Sequence, residues 1–410
     1  MRESGKKERK ANVAVLASVV LILIATSSIF FLFSEDIYGS SPLTKPDAPP
    51  SATNQYAPSL VAYDSLNRNL YVVNYLGNSV SVIDGRTNSV VTNVSVGSYP
   101  QGIAFDSSNG FIYVSNGNSS YVSVIDGNSN KVTDNITVEG EPSSMAYDPS
   151  DNCVYLLTGH VVVINGTSNR VVGNITVGAE ASDIAYDSLN ERLYVVNYIS
   201  DNVTVINGNN NTVLGSVQLG PPFNKSNPEG PVSVMADTLN GFVYVVVNTH
   251  YVYVINATTD EVVGTISTGS YLQGIACDPS NGYLYVVSES SPGRVSVING
   301  SNNKVIDIIT VGNGPVGVAY DGSNGQIYVA DQQDNAVTVI NGKTDTVAVT
   351  VSIAPKVSTT PGWIRNINDI YIYLNIIIST YWIYMVLAAI AILAIAIFVG
   401  VLTLRSKKKR

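Results

Sequence analysis

From about Tyr56 to Ile353 the chain alternates short apolar strings with clusters of Asp, Asn, Gly and Ser. Strings such as Val80 to Ile83 and Val337 to Ile340 read Val-x-Val-Ile, the period of two that turns one set of side chains to each face of a β-strand. Others, such as Tyr71 to Val73 and Tyr194 to Val196, are apolar at every position. The polar clusters between them are turn formers, so the pattern predicts many short antiparallel strands. Two stretches break it. Ala11 to Phe33 and Ile383 to Leu404 run for 23 and 22 residues without a charge.

The strand pattern repeats. Val61-Ala62-Tyr63-Asp64, Ile103-Ala104-Phe105-Asp106 and Met145-Ala146-Tyr147-Asp148 are versions of one string. Ile184 to Asp187, Ile275 to Asp278 and Val318 to Asp321 continue it, and Val234 to Asp237 is the least faithful copy. Seven residues after each Asp stands a Tyr: Tyr71, Tyr113, Tyr155, Tyr194, Tyr244, Tyr285 and Tyr328, spaced 42, 42, 39, 50, 41 and 43 residues apart. A third landmark recurs from Val82-Ile83-Asp84-Gly85 to Val339-Ile340-Asn341-Gly342.

Each unit therefore predicts four strands. The first ends at the Asp, where Asp-x-x-Asn-Gly (Asp106 to Gly110, Asp278 to Gly282, Asp321 to Gly325) makes a turn. There the carboxylate accepts backbone N–H groups and the Gly supplies a positive φ. The second is Tyr-Val-Val-Asn, the third Val-x-Val-Ile, and Asp/Asn-Gly turns it into the fourth, such as Val91 to Val96 or Val172 to Val177. An isolated four-stranded unit of this length exposes two apolar faces, which stacking around a ring buries. The expected fold is all-β: a seven-bladed β-propeller of four-stranded antiparallel blades over 56–353, with an N-terminal and a C-terminal transmembrane helix. Every unit starts at the inner strand and ends at the outer one, so closure is expected from packing of blade one on blade seven. A supplementary strand from residues 43–55 stays open.

The Tyr-Val-Val-Asn strand, the Val-x-Val-Ile-Asp/Asn-Gly hairpin and Pro315-Val316-Gly317-Val318-Ala319-Tyr320-Asp321 resemble the YVTN family of β-propeller repeats. The resemblance covers residues 56–353. It implies the propeller fold and a place among the surface-layer-like proteins of archaea, and it brings no catalytic residue with it.

The flanks suit a membrane. Ala11 to Phe33 follows Lys6, Lys7, Arg9 and Lys10, and about 20 apolar residues span a bilayer. It reads as a retained signal-anchor or as a cleaved signal peptide. Residues 34–55, with Pro42, Pro46, Pro49 and Pro50, read as a stiff stalk, and 354–382 as a juxtamembrane link. The span 383–404 has Tyr381, Trp382 and Tyr384 at one end and the basic tail 405–410 at the other. With the tail 1–10 also basic, both termini are expected in the cytoplasm and the ring outside the cell, at the cell membrane.

Composition sharpens this. Only 13% of residues are charged, although 45% are hydrophobic. The net charge of −9 conceals 12 Lys/Arg against 29 Asp/Glu between the two tails, a net −17 that argues against nucleic acid as a partner. Two Cys and two His exclude a disulfide scaffold and a Cys-based metal array. No cofactor is called for, because no phosphate-binding loop, G-x-S-x-G elbow or His-Glu-x-x-His occurs. Ten Asn-x-Ser/Thr sequons do occur: Asn93, Asn118, Asn135, Asn165, Asn174, Asn202, Asn210, Asn224, Asn256 and Asn299. All avoid the inner strands, so N-glycans would coat the rim of a glycoprotein and replace charge as the solubilising device.

Candidate contacts lie at the ring mouth. The 50-residue spacing before Tyr244 comes from an inserted loop, Gly220 to Pro231, with Phe223, Lys225 and Glu229. His160, His250, Asp201, Glu289, Asp331 and Asp334 fall in loops between second and third strands, and Glu141 and Glu180 approach the same face. A cation or polar ligand is one use for them, and solvated loop residues the other. Cys153 and Cys277 are expected to be inert strand residues in different blades. The expected function is a cell-surface or envelope module that binds proteins or glycans. The alternative is an extracytoplasmic propeller enzyme or small-ligand binder, lactonase-like or quinone-dependent-dehydrogenase-like.

Overall fold

The computed structural model describes residues 56–220 and 230–354. The segments expected to be anchor, stalk, transmembrane helix and tails, 1–55 and 355–410, lie outside the described residues, as do 221–229. Among the described residues no helix is long and apolar enough to cross a membrane.

Those residues form 28 strands in seven four-stranded antiparallel sheets, each taken consecutively from the chain. In blade one the inner strand is Pro58–Asp64, followed by Asn69–Asn74, Ser79–Asp84 and the outer strand Ser89–Ser95. Blades two to seven repeat this order, with inner strands Pro100–Asp106, Met145–Asp148, Ala181–Asp187, Pro231–Asp237, Leu272–Asp278 and Pro315–Asp321. Third and outer strands share a register shift, as between Val82 and Ile83 in blade one, a bulge that adds local twist.

Burial follows position in the blade. Leu70, Tyr71, Val72 and Val73 on the second strand are fully buried, because a neighbouring blade covers each face. The outer strand alternates around exposed residues such as Val91 and buries Val94 toward its end. Apolar side chains gather into seven clusters, each spanning two successive blades. The last joins Tyr328, Val337, Val339, Val351 and Ile353 of blade seven to Leu70, Val72 and Ile83 of blade one. Among the described residues no strand is exchanged between blades, and blade seven meets blade one by face packing. Full burial of each such side chain contributes roughly 1.5–3 kcal/mol, which makes the seventh interface comparable to the other six.

The turn aspartates do what their spacing suggests. Asp64 Oδ1 accepts from the backbone N–H of Leu66 and Asn67 at 2.9 and 3.1 Å, and Asp106, Asp187 and Asp321 accept similarly. All are buried. Their other oxygens face the next blade: a Cβ placed on Gly127 would lie 2.9 Å from Asp64 Oδ2, and one on Gly166 2.7 Å from Asp106 Oδ2. Glycine in these two hairpins is thus favoured by the close approach of the preceding blade and not by a positive φ, while blade five accommodates Ala257 at the equivalent place.

Candidate functional site

An antiparallel four-stranded blade places its two-to-three loop and its link to the next blade at one end. Seven such ends surround the opening of a central cavity of about 310 Å³. Its wall is the start of the inner strands and is hydroxyl- and amide-rich, with Ser59, Gln101, Ser143, Ser182 and Gln273. Asp183 is the one carboxylate among the lining residues.

Asp183 occupies the third position of its inner strand. In the other six blades that position holds Leu60, Gly102, Ser144, Ser233, Gly274 and Gly317. Ser144 Oγ donates to Asp183 Oδ1 at 2.6 Å, and Ser233 Oγ and the Val234 N–H donate to Oδ2 at 2.8 and 2.9 Å. Burial raises the pKa of the carboxyl, and these hydrogen bonds oppose that rise. Three successive blades thus form a polar arc. On the opposite side the chain approaches too closely for side chains: a Cβ on Gly317 would lie 2.2 Å from the Ser59 carbonyl oxygen, and one on Gly274 2.7 Å from that of Val316.

The loop residues picked out in the sequence that fall among the described residues do not line this cavity. His160 is half-buried in a separate groove of about 380 Å³ beside Glu139, Val138 and Val171. His250 is exposed, its ring 6.2 Å from that of Tyr251. Asp201 is buried with φ +49°, and its backbone carbonyl accepts from Gln218 Nε2 at 2.7 Å. Glu289 accepts from Gln273 Nε2 at 2.7 Å, which ties it to the cavity wall indirectly. Asp334 is exposed and accepts from the Asn313 N–H and Nδ2 at 2.7 and 2.9 Å. Asp331 is buried on Thr338 Oγ1 at 2.6 Å. Glu141 and Glu180 are exposed. Phe223, Lys225, Glu229 and Asn224 lie outside the described residues. Among the described residues no group of three or more His, Cys, Asp or Glu side chains is arranged to hold a metal ion.

Both cysteines are free, Cys153 buried and Cys277 partly so. Burial, reinforced by nearby aspartates, pushes each thiol up to about 12. The thiolate needed for nucleophilic chemistry is therefore scarce at neutral pH.

Comparison with known proteins agrees with the architecture. Residues 313–340, in blade seven, match the NHL repeat. No curated protein matches the chain. Among solved structures, Kuenenia stuttgartiensis hydrazine synthase aligns with a TM-score of 0.63 over 72% of this chain and 98% of that one, at 18% identity. That identity carries the fold alone, and 1833 chains of known structure match. A fold so widely used says little about chemistry.

Sequence reasoning missed Asp183. Its signal was present: aligning the seven inner strands by their terminal Asp leaves one acid in a column of small or apolar residues.

Proposed function

We propose that the chain is a membrane-anchored, extracellular β-propeller that serves as a binding or envelope-building module of the cell surface. The observation that carries this reading is the placement of the sequons. The nine sequon asparagines among the described residues all lie on second-strand loops, third-strand ends, hairpins or outer strands, and none belongs to an inter-blade cluster. Asn93, Asn135 and Asn174 are exposed on successive outer strands. Glycans there would cover exposed aliphatic side chains such as Val91 and Val172 without disturbing the ring. The charge-free flanking segments and the resemblance to YVTN-repeat surface-layer-like proteins support the same reading.

The test uses the full chain in its native cells. Labelling by a membrane-impermeant reagent, together with glycopeptides at Asn93, Asn135 and Asn174 in mass spectra, is the expected result. Protection from the reagent in intact cells and unmodified peptides at all ten sequons would overturn it.

A second reading, a propeller enzyme or small-ligand binder, is favoured by the Asp183 arc at the cavity mouth. Native mass spectrometry of the purified full chain decides between them. A stoichiometric small molecule that Asp183→Ala releases supports the second reading, and an empty chain that assembles or binds cells supports the first.

A further inference from the structure

Blades five and six meet at a groove of about 580 Å³ on the rim of the ring, a size suited to a small ligand. Thr268, in the link from blade five to blade six, lines it. At the equivalent position the other six blades carry Val96, Val138, Val177, Leu219, Val311 and Ile353. Thr268 is 8% exposed, and its Oγ1 has no hydrogen-bond partner. Its carbonyl, by contrast, accepts from Ser296 Oγ at 2.9 Å. A hydroxyl left unpaired where an aliphatic side chain packs costs stability, and such breaks of a local rule concentrate at functional sites.

The rest of the groove supplies partners for a ligand. Ser267, Ser290, Ser291 and Arg294 line it, and Arg294 is the only charged residue among the lining residues. Arg294 is exposed, and the ion pairs among the described residues, Arg86–Asp84 and Arg192–Asp260, do not involve it. In register, Arg294 stands where blade three has His160, whose groove carries one hydroxyl residue, Thr137, and an acid, Glu139, beside Val138, Val162 and Val171. At the mouth stands Tyr271, 67% exposed. Its counterpart in blade two, Tyr99, packs on Tyr75 with ring centroids 5.1 Å apart, whereas Tyr271 has no ring partner among the described residues.

We propose that this groove binds an acidic sugar, a proposal that rests on the reading of the ring as a surface-binding module. A free aromatic face takes the apolar C–H face of a pyranose. The Ser290 and Ser291 hydroxyls, which already donate to the Pro292 carbonyl and to Asn313 Oδ1, accept hydrogen bonds from ring hydroxyls, and the unpaired Thr268 Oγ1 offers a free donor. The guanidinium of Arg294 takes the carboxylate or sulfate in a bidentate pair.

The experiment is calorimetric titration of the detergent-purified full chain with trigalacturonate, with its neutral methyl ester and with a sulfated trisaccharide. Trigalacturonate or the sulfated sugar is expected to bind, the methyl ester at least tenfold more weakly, and added salt to weaken binding. Arg294→Gln and Tyr271→Ala each lower affinity about tenfold or more, and Thr268→Val lowers it several-fold without lowering the melting temperature, since valine restores the residue type of the other blades. Equal binding of acid and ester, no binding of either acidic probe, or full affinity in a folded Arg294→Gln chain overturns the proposal. Attachment of the same variants to intact cells separates the two readings. Attachment that survives Arg294→Gln removes the groove and leaves the surface module. Arg294-dependent sugar binding by a chain that is never displayed outside the cell does the reverse.

Discussion

The hydroxyl of Tyr328, on the second strand of the last blade, lies 2.6 Å from Asn88 Oδ1, on the outer hairpin of the first. The same bond links every other pair of neighbours. Tyr71 donates to Asn130, Tyr113 to Asn169, Tyr155 to Asn211 and Tyr244 to Asn303, at 2.7 to 2.9 Å. Tyr285 reaches Asp345 at 2.9 Å, and Tyr194 reaches Asp260 at 3.4 Å, where Arg192 also holds the carboxylate. Seven fully buried tyrosines thus form a belt of hydrogen bonds that crosses every blade interface, the closing one included.

Tyr328→Phe removes the closing member of this belt and keeps the ring in place. The expected cost is about 1 kcal/mol, the net value of one hydrogen bond, because the half-buried Asn88 regains water. Tyr113→Phe, at an internal interface, is expected to cost about the same. Equilibrium denaturation of the two variants checks this. A much larger loss at Tyr328 would mean that closure depends on the latch and not on the apolar cluster beside it.

The acceptor has a second duty. Asn88, Asn130, Asn169, Asn211, Asp260, Asn303 and Asp345 all have φ between +53° and +59°, a left-handed conformation that Asn and Asp tolerate better than other side chains. A series at Asn130 separates the two roles. Asn130→Asp keeps both and is expected to be nearly neutral, as blades five and seven already use Asp. Asn130→Gly keeps the conformation and loses the acceptor, at about 1 kcal/mol. Asn130→Ala loses both, at about 2–3 kcal/mol. Thermal melts that rank Gly below Ala would refute this division.

Much of this fold was legible because a repeat states each feature seven times. The Asp-x-x-Asn-Gly turn, the apolar second strand and the inner-to-outer order all follow from local spacing. The tyrosine belt does not, although both partners were visible. Tyr71 and Asn130 are 59 residues apart, and nothing local shows that the end of one blade's second strand abuts the next blade's hairpin. The depth of the mouth residues was not legible for a related reason. Chain order fixes which face His160 and His250 occupy but not their distance from the ring axis, and both stand outside the central cavity. Asp183 and Thr268 show the reverse case. Each is plain once the blades are aligned, because each breaks a column that its equivalents keep.

The cysteines give a direct test of packing. With both thiols held near a pKa of about 12, alkylation of Cys153 and Cys277 at pH 8 is expected to be far slower than that of a free thiol. Denaturant should release two equivalents together, since the two lie in different blades of one closed ring. Rapid labelling of Cys277 in the native chain would show that the interface between blades five and six opens locally.

Asp331 gives blade seven a pH response of its own, beside the smaller one of Asp345, whose carboxyl pKa burial also raises. Blades one, two and four place Asn74, Asn116 and Asn197 at this position, and each donates Nδ2 to a serine or threonine of the third strand. In blade seven the direction is reversed, with Thr338 Oγ1 donating to the Asp331 carboxylate. The site stays tight, since a Cβ on Gly312 would lie 2.5 Å from Asp331 Cγ. Burial pushes the Asp331 carboxyl up to about 7, helped by the charge of Asp334 and opposed by the bonds from Thr338 and Gly312. The folded state therefore binds the proton more tightly than the unfolded chain, whose aspartates titrate near ~4. Its contribution is fully present below about pH 4 and is lost as the pH rises through about 7. Asp331→Asn replaces the acid with the amide used elsewhere in the ring and removes this dependence. The difference in stability between variant and wild type, measured by denaturant melts from pH 5 to 9, is expected to grow in the variant's favour and to level off above pH 8, on the order of a few kcal/mol. Asp183 and Asp237 are also raised by burial, so both chains share their slopes and the difference isolates Asp331. A flat difference across that range would show that the carboxylate is solvated in the folded ring.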